Sequence, residues 1–258
     1  MRSAATDRAR FVTIRLSHYC EKARWALDRA AVPYDEEPHV PLLSRFAARR
    51  TTGGTVPVLI HGDLRLTESS DILRHADSMR PGMLYPLDAQ LCKEVEAWET
   101  RFDRDLGTHV RRWAYGYLLP EKALLRDLWS RGAPKREAMW MPLVLPIARG
   151  LLRRAYKVTP AGADRSSERI REVFAAVDER LKDGRRFLAG DQFSAADLTF
   201  AALAAPLLFA PECRAAMPDL DQVPAAMRND VNALRATGAG QFALRLYATE
   251  RAITQSAD

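Results

Sequence analysis

The sequence predicts an α/β domain followed by an all-helical one, and three observations carry that reading. Residues 11–16 bear β-branched and aromatic side chains, as a strand would, and run directly into a helical stripe of Ala23, Ala26, Leu27, Ala30 and Ala31. The stretch Ser78-Met79-Arg80-Pro81-Gly82-Met83-Leu84-Tyr85-Pro86 breaks the periodicity and marks a boundary. Beyond it apolar residues recur at helical spacing, so residues 10–86 are expected to form the first domain and residues 88–253 the second. A chain of 258 residues is long enough for one or two domains with cores of their own.

Within the first domain, the strand–helix junction sets the Ser17 hydroxyl and the Cys20 thiol at a helix N-terminus. Unpaired amides and a partial positive charge there favour a thiolate, whether on Cys20 or on a bound ligand. Val32-Pro33 ends the helix, and residues 34–37 supply a second strand, which makes a right-handed parallel βαβ unit. Residues 42–50 offer one short helical piece before the loop Thr51-Thr52-Gly53-Gly54. Pro57 opens the strand Val58-Leu59-Ile60, which turns at His61-Gly62-Asp63 into a partner strand through Leu64 and Leu66. A proline at that entrance holds Val56 extended, with its amide and carbonyl free to pair with an incoming peptide. Glu68-Ser69-Ser70-Asp71 then opens a helix with Ser69 as the expected N-cap, a start that can hold a carboxylate.

In the second domain, Asp88 caps a long helix whose stripe is Leu91, Val95, Trp98, Phe102, Leu106, Val110 and Trp113. Trp113, Tyr115 and Tyr117 either line a pocket or belong to plain core. Met139-Trp140-Met141-Pro142-Leu143-Val144-Leu145-Pro146-Ile147 is an apolar block followed by basic residues, and its two prolines are expected to forbid one straight helix. Residues 167–183 carry Ile170, Val173, Phe174, Val177 and Leu181 on one face. Ser194 and Asp197 form a capping box flanked by Phe193 and Leu198. The helix after it is apolar all round and must be buried. Residues 224–251 form a last helix, broken at Gly238-Ala239-Gly240.

Composition narrows the function. A hydrophobic share of 47% and a charged share of 28% are ordinary for a globular protein. Residues 1–10 hold no apolar signal-peptide core and the longest apolar run contains Pro206, so secretion and membrane spanning are not expected. Three widely spaced cysteines and scattered histidines suggest neither a disulfide framework nor a metal site. The net charge of +6 is interleaved with acids along helices, which favours a solvated arginine-rich surface over a nucleic-acid site.

Four segments in this order resemble the cytosolic glutathione transferases: the Ser17–Cys20 turn, the Val56-Pro57 strand entrance, Glu68-Ser69-Ser70-Asp71, and Phe193-Ser194-Ala195-Ala196-Asp197-Leu198. The first domain looks zeta- or omega-like, of the serine/cysteine-turn class. The resemblance implies a thioredoxin-like α/β domain joined to an all-α domain, a cytoplasmic homodimer, glutathione as co-substrate and a small electrophilic or apolar second substrate. It also implies a cis Val56–Pro57 bond, with the cysteinyl part of glutathione docked there and its γ-glutamyl end at Glu68 and Ser69. Ser17 takes the place of the catalytic serine of zeta-like transferases, which is also that of the first cysteine of a glutaredoxin turn; Cys20 takes the place of the second.

A serine at position 17 excludes two-cysteine disulfide exchange. A transferase needs only one hydroxyl donor to bring the glutathione thiol down from about 8.5, and Ser17 is expected to be that donor. Cys20 is either a reactive thiol or a small buried residue. His18, where many relatives have proline, is either a contact beside the site or simply exposed. Thr55 is not basic where several classes place a cation, so Arg45 or Arg49 is expected to reach the glycine carboxylate. Trp113 and Tyr117 are candidates for the second-substrate pocket. Residues 120–165 depart from the family as an insert, expected to cover the cleft or add core, then to extend a dimer interface, and last to touch a membrane. The alternatives to a transferase are a non-catalytic binding or assembly module and a single-thiol glutathione-dependent reductase using Cys20.

Overall fold

Four strands, β1 (Ala9–Thr13), β2 (Tyr34–Pro38), β3 (Val58–His61) and β4 (Leu64–Leu66), form one sheet in the order β2-β1-β3-β4. The computed structural model describes residues 8–41, 43–44, 55–215 and 217–251. β1 runs parallel to β2, from Ala9 opposite Tyr34 to Thr13 opposite Pro38, and antiparallel to β3. The crossover between the parallel pair is helix α1, His18–Arg29. The first strand ends earlier than its β-branched run suggests, because the Ile14 carbonyl accepts the Ser17 amide at 2.9 Å in a tight turn.

Further helices are α2 (Ser69–Met79), α3 (Ala89–Phe102), α4 (Thr108–Leu118), α5 (Lys122–Ser130), α6 (Lys135–Ala155), α7 (Pro160–Leu181), α8 (Ala195–Leu208), α9 (Ala225–Arg235) and α10 (Gly238–Leu246). The molecule is thus a small α/β domain followed by helices alone, a thioredoxin-like domain with an all-helical partner. The stripe that predicts one helix through Trp113 is divided into α3 and α4 by a π-helical turn, Asp103–Gly107. Such turns insert an extra residue into the hydrogen-bond ladder and often mark functional positions.

Helix α1 is buried at every position from Cys20 to Leu27, because it packs against α2 on one side and α8 on the other. It therefore has no solvent face on which to put its charges. Lys22, Arg24 and Arg251 are fully buried, exceptions to the solvated basic surface on which Arg8, Arg10, Arg74 and Arg104 lie. Arg24 pairs with Glu36 at 2.6 Å, and Arg251 with Glu21 at 3.1 Å and Asp28 at 2.7 Å, since a buried charge persists only when compensated. Helix α8 is buried along its whole length, as its apolar sequence requires. Asp197 accepts the amides of Ser194 and Leu188 at 2.9 and 2.8 Å, completing the capping box.

Three local expectations are corrected. Pro142 and Pro146 both lie inside the single 21-residue helix α6. They sit one turn apart on its exposed side, where water can serve the carbonyls left without a donor. The opposite side, with Met141, Leu145, Ala148 and Leu152, joins Leu119, Leu125 and Trp129 in a second apolar cluster. The break between the last helices falls at Thr237, not at the glycines; Thr237 accepts the Gly240 amide at 3.0 Å, and a Cβ at Gly240 would overlap the Leu234 carbonyl. Finally, Ser69 is the first helical residue of α2, and the N-cap is Glu68, which makes no side-chain capping bond.

Candidate active site

The junction of β1 and α1 opens onto a cavity of about 710 Å³. Ser17 caps α1 from an extended conformation, and its Oγ accepts the Cys20 amide at 3.3 Å. A capping hydroxyl uses a lone pair in that bond, so its proton remains available to an acceptor in the cavity. His18 is buried, and its Nε2 donates to the Gly107 carbonyl at 2.9 Å. Burial, with the charge of Arg111 adding to it, lowers the His18 pKa to about 3, so the ring is neutral. Tyr19 donates its hydroxyl to the Asp103 carbonyl at 3.2 Å. Gly107 makes this approach of α1 to the π turn feasible, because a Cβ there would overlap the Tyr19 hydroxyl.

A second part of the same wall comes from the edge of β3 and the start of α2. The Val56–Pro57 bond is cis, and the β1–β3 ladder stops at Val12 opposite Val58, leaving Val56 beyond it at the cavity edge. Val56, Pro57, Glu68, Ser69 and Ser70 all line the cavity, where the first amides of α2 are available. Below them Lys22 Nζ donates to Asp103 Oδ2 at 2.8 Å and Ser70 Oγ at 3.1 Å, and lies 2.9 Å from Glu99 Oε1. Ser70 donates to the same Asp103 oxygen at 3.0 Å. Asp103 Oδ1 is buried without a hydrogen-bond partner among the described residues, in a side chain that lines the cavity. That oxygen is an acceptor without a donor.

The opposite wall is built from α4, α5 and α6. Val110, Ala114 and Leu118 face inward from α4 at helical spacing, joined by Leu125, Leu128 and Trp129 from α5, by Leu151, Leu152 and Ala155 from α6, and by Tyr156 just after it. Among the described residues, one cation stands within this apolar wall. The Arg111 guanidinium lies 5.1 Å from the ring centre of Tyr19 and 5.0 Å from that of Tyr156.

The structure therefore gathers Ser17, His18, Val56, Pro57, Glu68 and Ser69 around one cavity, and leaves three other candidates out of it. Cys20 is fully buried and off the cavity wall; burial pushes its thiol pKa up, against the pull of hydrogen bonds to Ser17 and Ile14. Trp113 and Tyr117 turn away from the cavity, and both donate to Asp230 Oδ2 at 3.0 Å, while Tyr115 between them lines it. Arg45 and Arg49 lie outside the described residues. Sequence reasoning missed Asp103, Arg111 and Tyr156. Arg111 adjoins Val110 at the edge of the apolar stripe, but Arg112 follows it, and the sequence alone does not say which of the two turns toward the cavity. Among the described residues no cluster of three or more His, Cys, Asp or Glu could hold a metal ion, and no helix is long and apolar enough to cross a membrane.

Comparison with known proteins agrees with this architecture. The sequence matches the family described as glutathione S-transferase, N-terminal domain, over residues 11–83, and that described as glutathione S-transferase, C-terminal domain, over residues 160–234. No curated protein matches the chain. Among solved structures, glutathione S-transferase I from maize in complex with an atrazine–glutathione conjugate is 19% identical, with 94% of this chain and 99% of that one covered at a TM-score of 0.55. Glutathione transferase F2 from Populus trichocarpa is 14% identical, with 93% and 99% covered at 0.57. A glutathione S-transferase I bound with lactoylglutathione is 19% identical, with 93% and 99% covered at 0.56. At these identities the likeness is one of fold.

Proposed function

The chain belongs to the glutathione S-transferase family, and from that premise we propose that it binds glutathione along the Ser17, Val56–Pro57 and Glu68–Ser69 wall and conjugates it to a small electrophile. The observation that carries this reading is the meeting, in one cavity, of a helix-capping hydroxyl, an unpaired strand edge and a helix N-terminus, facing an apolar wall. The strand edge at Val56 suits the cysteinyl backbone of the tripeptide. The first amides of α2 suit its γ-glutamyl carboxylate, and Glu68 with the free Asp103 oxygen suits the ammonium group beside it.

Ser17 then donates to the glutathione sulfur at the positive end of α1. The thiol proton leaves to solvent, and the thiolate attacks the electrophilic carbon. A carbon–sulfur bond forms as the leaving group departs with the bonding pair. A hydrogen bond to a charged group contributes about 1.5–3 kcal/mol, enough to lower the thiol pKa by one to two units from about 8.5. His18 is neutral and its Nε2 proton is committed to Gly107, so it shapes the wall rather than moving a proton.

The test combines retention on immobilised glutathione with conjugation of a generic aromatic electrophile. Ser17→Ala should lower kcat/KM at neutral pH about tenfold to a hundredfold and move the alkaline rise of activity toward about pH 8.5. An unchanged rate and pH profile would exclude Ser17 as the donor. Retention without turnover would favour a binding module. The burial of Cys20 speaks against the single-thiol reductase, which would need Cys20→Ser to abolish deglutathionylation.

A further inference from the structure

We propose that the second-substrate side of the cavity takes an aromatic or otherwise apolar electrophile that carries a negative charge, most simply a carboxylate, and that Arg111 is the specificity-determining residue that receives it. The proposal rests on the glutathione reading above and adds the chemical class of the second substrate.

Arg111 makes no hydrogen bond or ion pair among the described residues, whereas most other arginines that reach the interior here are paired: Arg24 with Glu36, Arg251 with Asp28. Its guanidinium is instead held between the rings of Tyr19 and Tyr156. Contacts with ring faces fix a guanidinium in place while leaving its five donors along the edge unused. A half-buried cation in an apolar wall loses hydration without gaining a counter-ion, and an anionic ligand would supply one. Among the described residues the cavity wall has two carboxylates: Asp103 is tied to Lys22 and Ser70, about two helical turns before Arg111 along the α3–α4 rod, and Glu68 belongs to the wall at the start of α2. Around Arg111 the wall is apolar and aromatic, with Val110, Ala114, Tyr115 and Leu152. Such a wall selects a flat or greasy body, and the fork at its centre selects an anion on that body. The reaction itself is unchanged: sulfur displaces the leaving group at carbon, chloride leaves with its electron pair, and the carboxylate stays on the product.

A chlorodinitrobenzoate and its neutral primary amide form a matched pair of electrophiles, each rate being normalised to the uncatalysed reaction with glutathione. The wild-type protein should favour the benzoate, chiefly through KM. Arg111→Gln should lower the benzoate-to-amide ratio of kcat/KM about tenfold to a hundredfold, the range of a charge-assisted hydrogen bond, and Arg111→Lys should restore part of it. A ratio that does not respond to Arg111→Gln overturns the inference while leaving glutathione conjugation intact. An equal loss for both electrophiles, with a raised KM for glutathione, also overturns it and assigns Arg111 to the tripeptide. Binding of an unreactive nitrobenzoate, measured calorimetrically without glutathione, separates the two readings. Binding that weakens in Arg111→Gln upholds the anion site even if no conjugation is found, and binding that is absent or indifferent to the change removes it.

Discussion

His18 shows how one side chain ties the chemistry of the cavity to the stability of the fold. Its folded pKa of about 3 lies below the ordinary imidazole value of about 6.5, first through burial and then through the charge of Arg111. Between those two values the unfolded chain binds a proton that the native state refuses. The stability this histidine confers is therefore full above about pH 6.5 and is lost as pH falls toward 3. At about pH 5 the loss is on the order of 2 kcal/mol. Gln at position 18 can donate to the Gly107 carbonyl without titrating, so in urea unfolding the wild type should lose about that much more than His18→Gln between about pH 7 and pH 5. Parallel losses in the two proteins would refute the assignment. The place of His18 beside the site could be read from the sequence, but its burial could not, because its partner Gly107 lies 89 residues further on. The same holds for Cys20, whose two readings are separated only by the packing of α1.

At the scale of elements, α6 presents two unlike faces, and each makes its own prediction. Met141 and Leu145 are buried in the cluster with Leu125 and Trp129, whereas Leu143 and Ile147 are 65% and 64% exposed. Leu145→Ala should cost about 2–5 kcal/mol, while Leu143→Gln and Ile147→Gln should change stability by no more than about 0.5 kcal/mol, all read from urea midpoints. Comparable losses on both faces would mean that the helix is rotated about its axis. A strict rule about proline hid this helix from sequence reading, because the rule holds for prolines whose freed carbonyls cannot reach water. Elements with strong local signals were readable: the capping box of Ser194 and Asp197, the Asp88 cap, and the strands on either side of Gly62. What local pattern could not supply was the π turn at Asp103–Gly107 and the inward direction of Arg111, which depend on α1 meeting the α3–α4 rod. Tyr115 and Tyr117 illustrate the limit, since two residues on one helix separate cavity from core.

For the whole molecule, the sheet domain and the helical domain share their core rather than meeting at a wet interface. One apolar cluster runs from Phe11 and Trp25 through α8 to Phe242 and Tyr247. Trp25 lies 4.8 Å from Tyr247 and 5.6 Å from Phe193, ring centre to ring centre, and Arg251 reaches back over it to Glu21 and Asp28 on α1. Helix α1 is therefore completed by Tyr247 and Arg251, and the first domain cannot open without exposing the floor of the second. Native-state hydrogen exchange should find the amides of α1 and α8 opening with one free energy and one denaturant dependence. Arg251→Met keeps the bulk over Trp25 but takes one cation from Glu21 and Asp28, which retain Arg24 and Arg214, so the loss should be about 1.5–3 kcal/mol, the range of a hydrogen bond to a charged group. Because Arg251 lies beyond the last helix of the second domain, independent domains would confine that cost to one of them. A shared core requires the opening free energies of α1 and α8 to fall together by the same amount, and a variant in which only one of the two helices loses protection would show that they unfold separately.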